Sequence, residues 1–482
     1  MTERNIDNIA CRFGLVTGKH VRKMLCENLF AFQEVFVLSE KHLRSRRSVA
    51  VETQGECFMG QTNKVLTVSI LGCGSRGFRT YGRLMHQLSA KFRIVALCDT
   101  DADVLALAAK ELGIEQQNCF TNDAEFFAER RSDVLVIATL DKQHYDNTMH
   151  AMALGYDILL EKPITDNKQE CENLLAAQQK YGNKVVVCHV LRYAKGFVKV
   201  KELLDEGAIG TLVNIQALEQ VAYWHMAHSY VRGNWRRAED TTPMILAKCC
   251  HDLDLLQYYA ASKATSVSSI GELTYFKKEC APEGSAERCM DCKYKDSCPY
   301  SAKRIYIDNY VAQGCPADIW PQNVVVTDTP LSVDKLQHAL SAGSPYGRCV
   351  FRCDNDVVSH QTTNILFDNG VTANLTMMAF TKCGGRIYKF FGTNGELVLD
   401  EEKEHILLTL FGEKTQVINL GDLTEAGMSH GGGDSMLIAD LYDMITGKRS
   451  QTTGLASSIE SHLMGIAAET SRLECGKNVL VH

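Results

Sequence analysis

No apolar run in this chain of 482 residues reaches the ~20 that a membrane-spanning helix needs, and the N-terminus carries no apolar signal-peptide core. Neither a membrane-embedded nor an exported product is expected. Runs of Lys and Arg are missing too. With 51 basic and 58 acidic residues the formal charge is −7, which makes nucleic acid and anionic membrane surfaces poor partners. A disulfide framework is also not expected, since the 19 cysteines include many inside apolar segments, such as Val187-Cys188 and Leu97-Cys98. In a chain of this length they fit reduced thiols in a cytoplasm. What remains is a soluble globular composition, 45% hydrophobic and 23% charged, long enough for two domains.

The stretch that orders the rest is Val68 to Gly77, VSILGCGSRG, an aliphatic run that opens into Gly72, Gly74 and Gly77. A strand ending in G-x-G-x-x-G and running into a helix makes a tight turn at the first glycine. The second lets a pyrophosphate approach the backbone, and the third lets the helix pack on the sheet. Free amides and the positive end of the helix dipole then face the phosphates. Phe78 to Ala90 reads as that helix and Phe92 to Cys98 as a second strand ending in Asp99. Asp99 lies about 20 residues beyond the glycines, where a dinucleotide fold puts the acid that binds the adenosine ribose. Thr100 and Asp101 follow it, not arginine, so a 2′-phosphate would meet negative charge and NAD is favoured over NADP. An Asp before the VLALAAKEL segment would also serve as a helix N-cap, and both roles can coexist.

Alternation continues downstream. Asp123 to Arg130, His144 to Leu154 and Lys168 to Tyr181 read as helices between strands at Asp133 to Ala138, Asp157 to Leu160 and Lys184 to Cys188. Strands separated by single helices need right-handed crossovers and a parallel sheet. The fold class expected is therefore α/β, with a doubly wound parallel Rossmann sheet over residues 64–188. Lys162 would sit at the carboxyl end of one strand, outside which ligands bind in such sheets, and Pro163 keeps it out of a helix.

The runs ILGCGSRG, ALCD, VLVIATLDKQH and ILLEKPIT resemble the glucose-fructose oxidoreductase / inositol dehydrogenase / rhizopine-catabolism (Gfo/Idh/MocA) family from about Lys64 to the C-terminus. Glu161-Lys162-Pro163 is the most specific of these motifs. The resemblance implies that Lys162 contacts both the nicotinamide ribose and the hydroxyl being oxidised. It adds Ser75, Arg76, Thr139, His144 and Glu161 to the cofactor-binding set of Gly72, Gly74, Gly77, Asp99 and Lys162. Family members commonly assemble through the open sheet of their second domain, so a homo-oligomer is expected.

Past Cys188 the grammar changes. Leu212 to Tyr223 and Thr265 to Phe276 read as long strands, and hairpins turn at Asp368-Asn369-Gly370 and Asn394-Gly395. An open, mostly antiparallel sheet with helices on one face is expected for the C-terminal α+β domain, residues 189–482, closed by helices at Asp434 to Thr446 and Leu455 to Cys475.

Ile245 to Ala260 has helical spacing that sets Lys248, His251 and Asp254 along one side. The resemblance implies that His251 is the general base, a task suited to an imidazole because its ordinary pKa lies near working pH. The commoner family pattern has an aspartate four residues earlier. Here that position is Ala247, followed by Lys248, which is expected to bind substrate or tune His251, with Asp252 or Asp254 orienting it. Substrate contacts are expected from the polar, aromatic stretch holding His225, Arg232 and Trp235, and from Arg192, Tyr193 and Asp252.

The cysteines of Cys280-x8-Cys289-x2-Cys292-x5-Cys298 could close a structural zinc site or accept an iron-sulfur cluster, against a loop of unligated thiols. They lie in an insert spanning about residues 277–344, expected to be a lid or interface element. His430, before a helix N-cap, is a weaker site candidate. Residues 1–63 lack the strand-turn-helix grammar, and residues 1–58 are expected to be an upstream extension, with Met59 a natural start; N-terminal sequencing that began at Thr2 would contradict this. The expected activity is NAD-dependent oxidation of a secondary alcohol of a sugar, glycoside or cyclitol. An NAD-dependent glycoside hydrolase acting by transient oxidation uses the same residues, and a non-catalytic NAD-binding regulator shares the fold.

Overall fold

The computed structural model describes residues 64–423, 429–450 and 452–482. The extension at residues 1–63 and the side chain of His430 lie outside the described residues. Asn63 to His482 form one compact unit built on two sheets.

The first sheet contains β1 (Leu66–Leu71), β2 (Phe92–Cys98), β3 (Cys119–Phe120), β4 (Val134–Ile137), β5 (Asp157–Leu160) and β6 (Val185–Val187). All are parallel, in the order β3-β2-β1-β4-β5-β6. β4 and β6 are buried at every residue, as strands covered on both faces must be. The helices α1 (Ala102–Leu112), α2 (His144–Ala153) and α3 (Lys168–Tyr181) connect them.

After β1 the chain does not form the single helix expected over Phe78 to Ala90. A wide turn with π-type bonding, Ser75–Gly82, leads into a short α-helix, Arg83–Gln87. The glycines explain the close packing here. Gly72 adopts the left-handed φ of +90°, and a side chain at Gly77 would lie 1.9 Å from the Gly72 carbonyl oxygen. Of the two acids near the end of β2, Asp101 is the N-cap of α1, accepting from Asp103 N and Val104 N. Asp99 is thereby released from capping.

The second sheet has nine strands: β7 (Leu212–Ala222), β8 (Ala264–Glu272), β9 (His360–Phe367), β10 (Thr372–Thr381), β11 (Gly385–Gly392), β12 (Gly395–Asp400), β13 (His405–Leu410), β14 (Gln416–Asn419) and β15 (Val479–Leu480). Their order is β14-β13-β12-β11-β7-β10-β9-β8-β15, and only β7 and β10 pair in parallel. Both expected hairpins form; Gly370 takes φ +84° to close the first. The helices α4 (Lys195–Asp205), α5 (Cys250–Ala260) and α7 (Leu455–Leu473) belong to this half, and residues from all three share its apolar core with the strands. Helix α6 (Gly433–Ile445) returns to the first half. Its Leu437, Ile438, Leu441 and Tyr442 share a core with Val68 and Ile70, and Lys184 Nζ donates to the carbonyls of Met444 and Ile445.

Candidate active site

Three structural conditions suit the glycine loop to an anionic dinucleotide. The helical turn after it has no side-chain cap, and its first backbone bond begins only at Phe78, leaving the amides of Ser75 to Gly77 ahead of the ladder. Gly74 is exposed, with nothing within 4 Å of where a side chain would begin. Asp99 stands beside the loop: one oxygen accepts from Cys73 N at 2.6 Å and the other from Asp101 N at 2.8 Å. A carboxylate with one amide on each oxygen keeps lone pairs for the two hydroxyls of a ribose.

β5 runs out into Glu161-Lys162-Pro163. Glu161 is buried and accepts from Arg76 Nε at 2.7 Å, Tyr81 Oη at 2.6 Å and Lys162 N at 3.0 Å. Burial pushes its carboxyl up, but Arg76 and Lys162 outweigh that and hold it below the ordinary value. Arg76 also pairs with Asp434 at 2.7 Å, so it braces the motif against α6. His144 faces the Pro163 oxygen through Nδ1 at 2.6 Å and the Thr139 oxygen through Nε2 at 3.0 Å. Lys162 then leaves the first half altogether. Its Nζ donates to Ala247 O at 3.2 Å, at the position where the family pattern has an aspartate.

Lys248 and His251 follow that contact. Lys248 Nζ lies 3.1 Å from Glu219 Oε1 on β7, and Arg386 of β11 lies 3.0 Å from the same carboxylate. Arg386 continues to Asp252, which also accepts from Tyr388 Oη at 2.8 Å. Burial pushes the Glu219 carboxyl up, to about 7, against the pull of Arg386 and Lys248. Behind His251 stands His189, with ring centroids 5.9 Å apart, edge to face. His189 is buried 3.7 Å from Asp254, and Asp254 is held by Arg192 through two bonds of 2.6 Å.

His225 closes the group on a third side. Burial pushes its pKa well down, and the charges of Lys248, His228 and Lys162 add to the effect. Its ring stacks with Trp224 and meets Trp320 of the insert edge to face at 5.1 Å. Two residues before Trp320, Asp318 accepts from Arg79 Nη1 at 2.5 Å, on the wide turn after the glycine loop, and from Arg83 Nη1 at 3.1 Å, at the start of the short helix that follows. The insert therefore ties that helix to the aromatic cluster.

Of the expected residues, Lys162, Lys248 and His225 are brought together by these contacts and charges, His251 follows on the same segment against His189, and the glycine loop and Asp99 lie along the parallel sheet. Others have structural work. Arg232 is fully buried and donates to Arg348 O, Tyr300 O and Cys289 Sγ, facing the insert, not a substrate. Asp252 lies beneath the surface on Arg386 and Tyr388. Arg192 and Tyr193 are buried on Asp254 and Asp440. Trp235 donates to Asp141, joining the two halves. The zinc expectation is corrected: among the described residues no group of three or more His, Cys, Asp or Glu is arranged to hold a metal ion. Cys280 turns to Thr274 O, apart from the other three. Glu219, Arg386, His189, Asp318 and Trp320 had no motif to announce them, because each is assembled from a distant strand or the insert.

The model of an oxidoreductase family's NAD-binding Rossmann fold matches residues 66–189, and that of its C-terminal alpha/beta domain matches residues 201–474. The oxidoreductase YteT of Bacillus subtilis is 23% identical over 393 residues, covering 78% of this chain and 88% of its own. The inositol 2-dehydrogenase of Salmonella typhimurium is 27% identical over 146 residues, 30% of this chain and 43% of that protein. Among solved structures, levoglucosan dehydrogenase with NADH and levoglucosan superposes with a TM-score of 0.62 at 16% identity, covering 87% of this chain and all of that one. An Agrobacterium radiobacter oxidoreductase with NAD+, L-tartaric acid and magnesium gives 0.60 at 16% identity, over 87% of this chain and 99% of the other. At such identities the likeness to these structures is one of fold.

Proposed function

Because the chain belongs to the Gfo/Idh/MocA oxidoreductase family, we propose that it oxidises a secondary alcohol of a sugar or cyclitol with NAD. The observation that carries this is the crossing of Lys162 from the end of β5 to Ala247 O, beside Lys248 and His251. A cation from the nucleotide-binding half thereby meets the segment of the other half that carries His251.

NAD, when bound, supplies the hydride acceptor, held by Gly72 to Gly77 and Asp99. Lys162 Nζ donates to the substrate oxygen and stabilises the alkoxide character that develops there. His251 takes the hydroxyl proton. His225, kept neutral by burial and the neighbouring lysines, can accept a substrate hydroxyl without adding a third cation. Trp224 and Trp320 offer apolar ring faces, suited to the C–H face of a sugar. The inositol and levoglucosan named for two of the similar proteins agree with such a site.

Assembly through the second sheet belongs to the same reading, supported by the open face bordered by Asn214, Ser268, Asn364 and Thr372; light scattering tests it, and a monomer at working concentration would reject it. A reducing, cytoplasmic setting is supported by sixteen described cysteines that are all free thiols. The function is tested by incubating the protein with NAD and a panel of sugars, cyclitols and aryl glycosides while following NADH and released aglycone. Stoichiometric NADH is expected; aglycone release without net NADH would replace oxidation with redox-assisted glycoside cleavage.

A further inference from the structure

Lys162 can reach across the molecule in one fixed direction only if the backbone that carries it is held. Its own amide donates to Glu161 Oε2 at 3.0 Å, which secures the side towards β5. On the far side Pro163 has no N–H, so the first peptide unit after Lys162 that offers both a donor and an acceptor joins Pro163 to Ile164. Ile164 is fully buried and lies outside helix and strand, where no ladder supplies partners. Both groups of that unit end on imidazoles.

The Pro163 carbonyl accepts from His144 Nδ1 at 2.6 Å, at the start of α2. The Ile164 amide donates to His462 Nε2 at 2.8 Å, and His462 stands on α7, 298 residues further along the chain. His462 is wholly buried and makes that bond in one tautomer. Its Nδ1 lies 2.8 Å from Ser458 O, which can only accept, so the ring hydrogen sits on Nδ1 and the lone pair on Nε2. Burial pushes its pKa down to about 3, which keeps that lone pair free of a proton. The same ring packs on His189 with centroids 5.9 Å apart, and His189 packs on His251 at 5.9 Å. On the next turn of α7, a side chain at Gly465 would lie 2.4 Å from Leu246 and 3.2 Å from Leu253. The helix that carries His462 therefore rests directly on the segment that carries Ala247 and His251.

We infer that His462 is a positioning residue for the reaction proposed above: opposite His144, it grips the peptide unit next to Lys162 and, through His189, stands behind His251. The proton donor and the base come from different halves, and one side chain that touches the mounting of both fixes their relation. Held at its carbonyl and its amide, the peptide unit cannot rotate, and Lys162 Nζ keeps the direction in which it meets Ala247 O at 3.2 Å. A misplacement of ~1 Å at a reacting centre can cost ~100-fold in rate. His462 acts through Lys162 and His251 and not on the reacting atoms.

The inference rests on that reaction, but its first test does not. Amide hydrogen exchange, read by mass spectrometry on overlapping peptides across residues 161–168, should be slow at Ile164 in the unaltered chain. His462→Leu, similar in volume but without an acceptor, should speed exchange there at least ~10-fold, and His462→Gln, whose side-chain oxygen can accept, should restore protection. In single-turnover NADH formation His462→Leu is expected to lower the rate ~10-fold with NAD and substrate affinities held within ~3-fold, and His462→Gln to recover most of it. Unchanged exchange at Ile164 in His462→Leu, a rate within about twofold of the unaltered chain, or a loss that His462→Gln does not recover would overturn the inference. Should His462→Leu fail to fold, Ile164 exchange in the unaltered chain and in His462→Gln decides, and fast exchange in either overturns it. A chain that protects Ile164 but oxidises no sugar or cyclitol would support the grip on the peptide unit and reject the proposed reaction.

Discussion

At the scale of single residues, Asp99 and Asp101 show what spacing can and cannot tell. Both stand before the same helix, and either could cap it. The structure gives the cap to Asp101 and turns Asp99 to the glycine loop through Cys73 N. Asp99→Asn should therefore leave thermal stability nearly unchanged and raise the KM for NAD by about tenfold, the effect of one hydrogen bond to a charged group. Steady-state kinetics alongside thermal unfolding checks it. Gly74 makes a sharper case. A methyl there meets no protein atom, so Gly74→Ala should fold normally yet weaken NAD binding at least ~10-fold by occupying the phosphate's approach; titration calorimetry reads the loss. The family resemblance located Lys162 and His251. It could not foresee that Ala247 would offer its carbonyl to Lys162, or that Lys248 would pair with Glu219.

At the scale of elements, the parallel half was legible because buried strands alternating with helices leave an unmistakable pattern: β5 and α3 fall on their expected limits. The helix after the glycine loop did not follow. Its sequence reads as one α-helix, but Gly77 and Gly82 lie against the sheet and the turn widens before Arg83. β14 and β15 escaped notice because short edge strands carry little periodicity of their own, and the interior β13 beside β14 was missed with them. The insert was visible only as length and cysteine, and the part of it that reaches Arg79, Arg83 and His225 is Asp318 to Trp320. Replacing Asp318 with Ala removes the partner of two arginines at the nucleotide helix. NAD release should accelerate several-fold while the maximal rate of hydride transfer stays within twofold; stopped-flow displacement of NADH separates the two, and an unchanged release rate would show that the insert does not hold the nucleotide half.

At the scale of the whole molecule, buried imidazoles shape the response to acid. Burial pushes His228 and His462 down to about 3, and lowers His189 and His225 as well. A histidine whose folded pKa lies below its unfolded value of ~6.5 contributes stability above that value and loses it as pH falls through and below it. The chain should thus lose stability steeply from about pH 6.5 downward. His462→Gln, which can still accept from Ile164 N, should reduce the slope of unfolding free energy against pH by about one proton over that range. Denaturant titrations at stepped pH measure it; an unchanged slope would mean that His462 is charged in the folded state.

The two halves meet where Lys162 touches the segment that carries His251, and the account rests on that meeting. The most direct measurement is single-turnover NADH formation by the unaltered chain and by Lys162→Met, on the first sugar or cyclitol found to be oxidised, with NAD affinity determined in parallel. A fall in rate of at least ~100-fold with NAD affinity held within a few-fold is predicted, the loss expected when a group acting at the reacting oxygen is removed. Near-normal hydride transfer by Lys162→Met would contradict it.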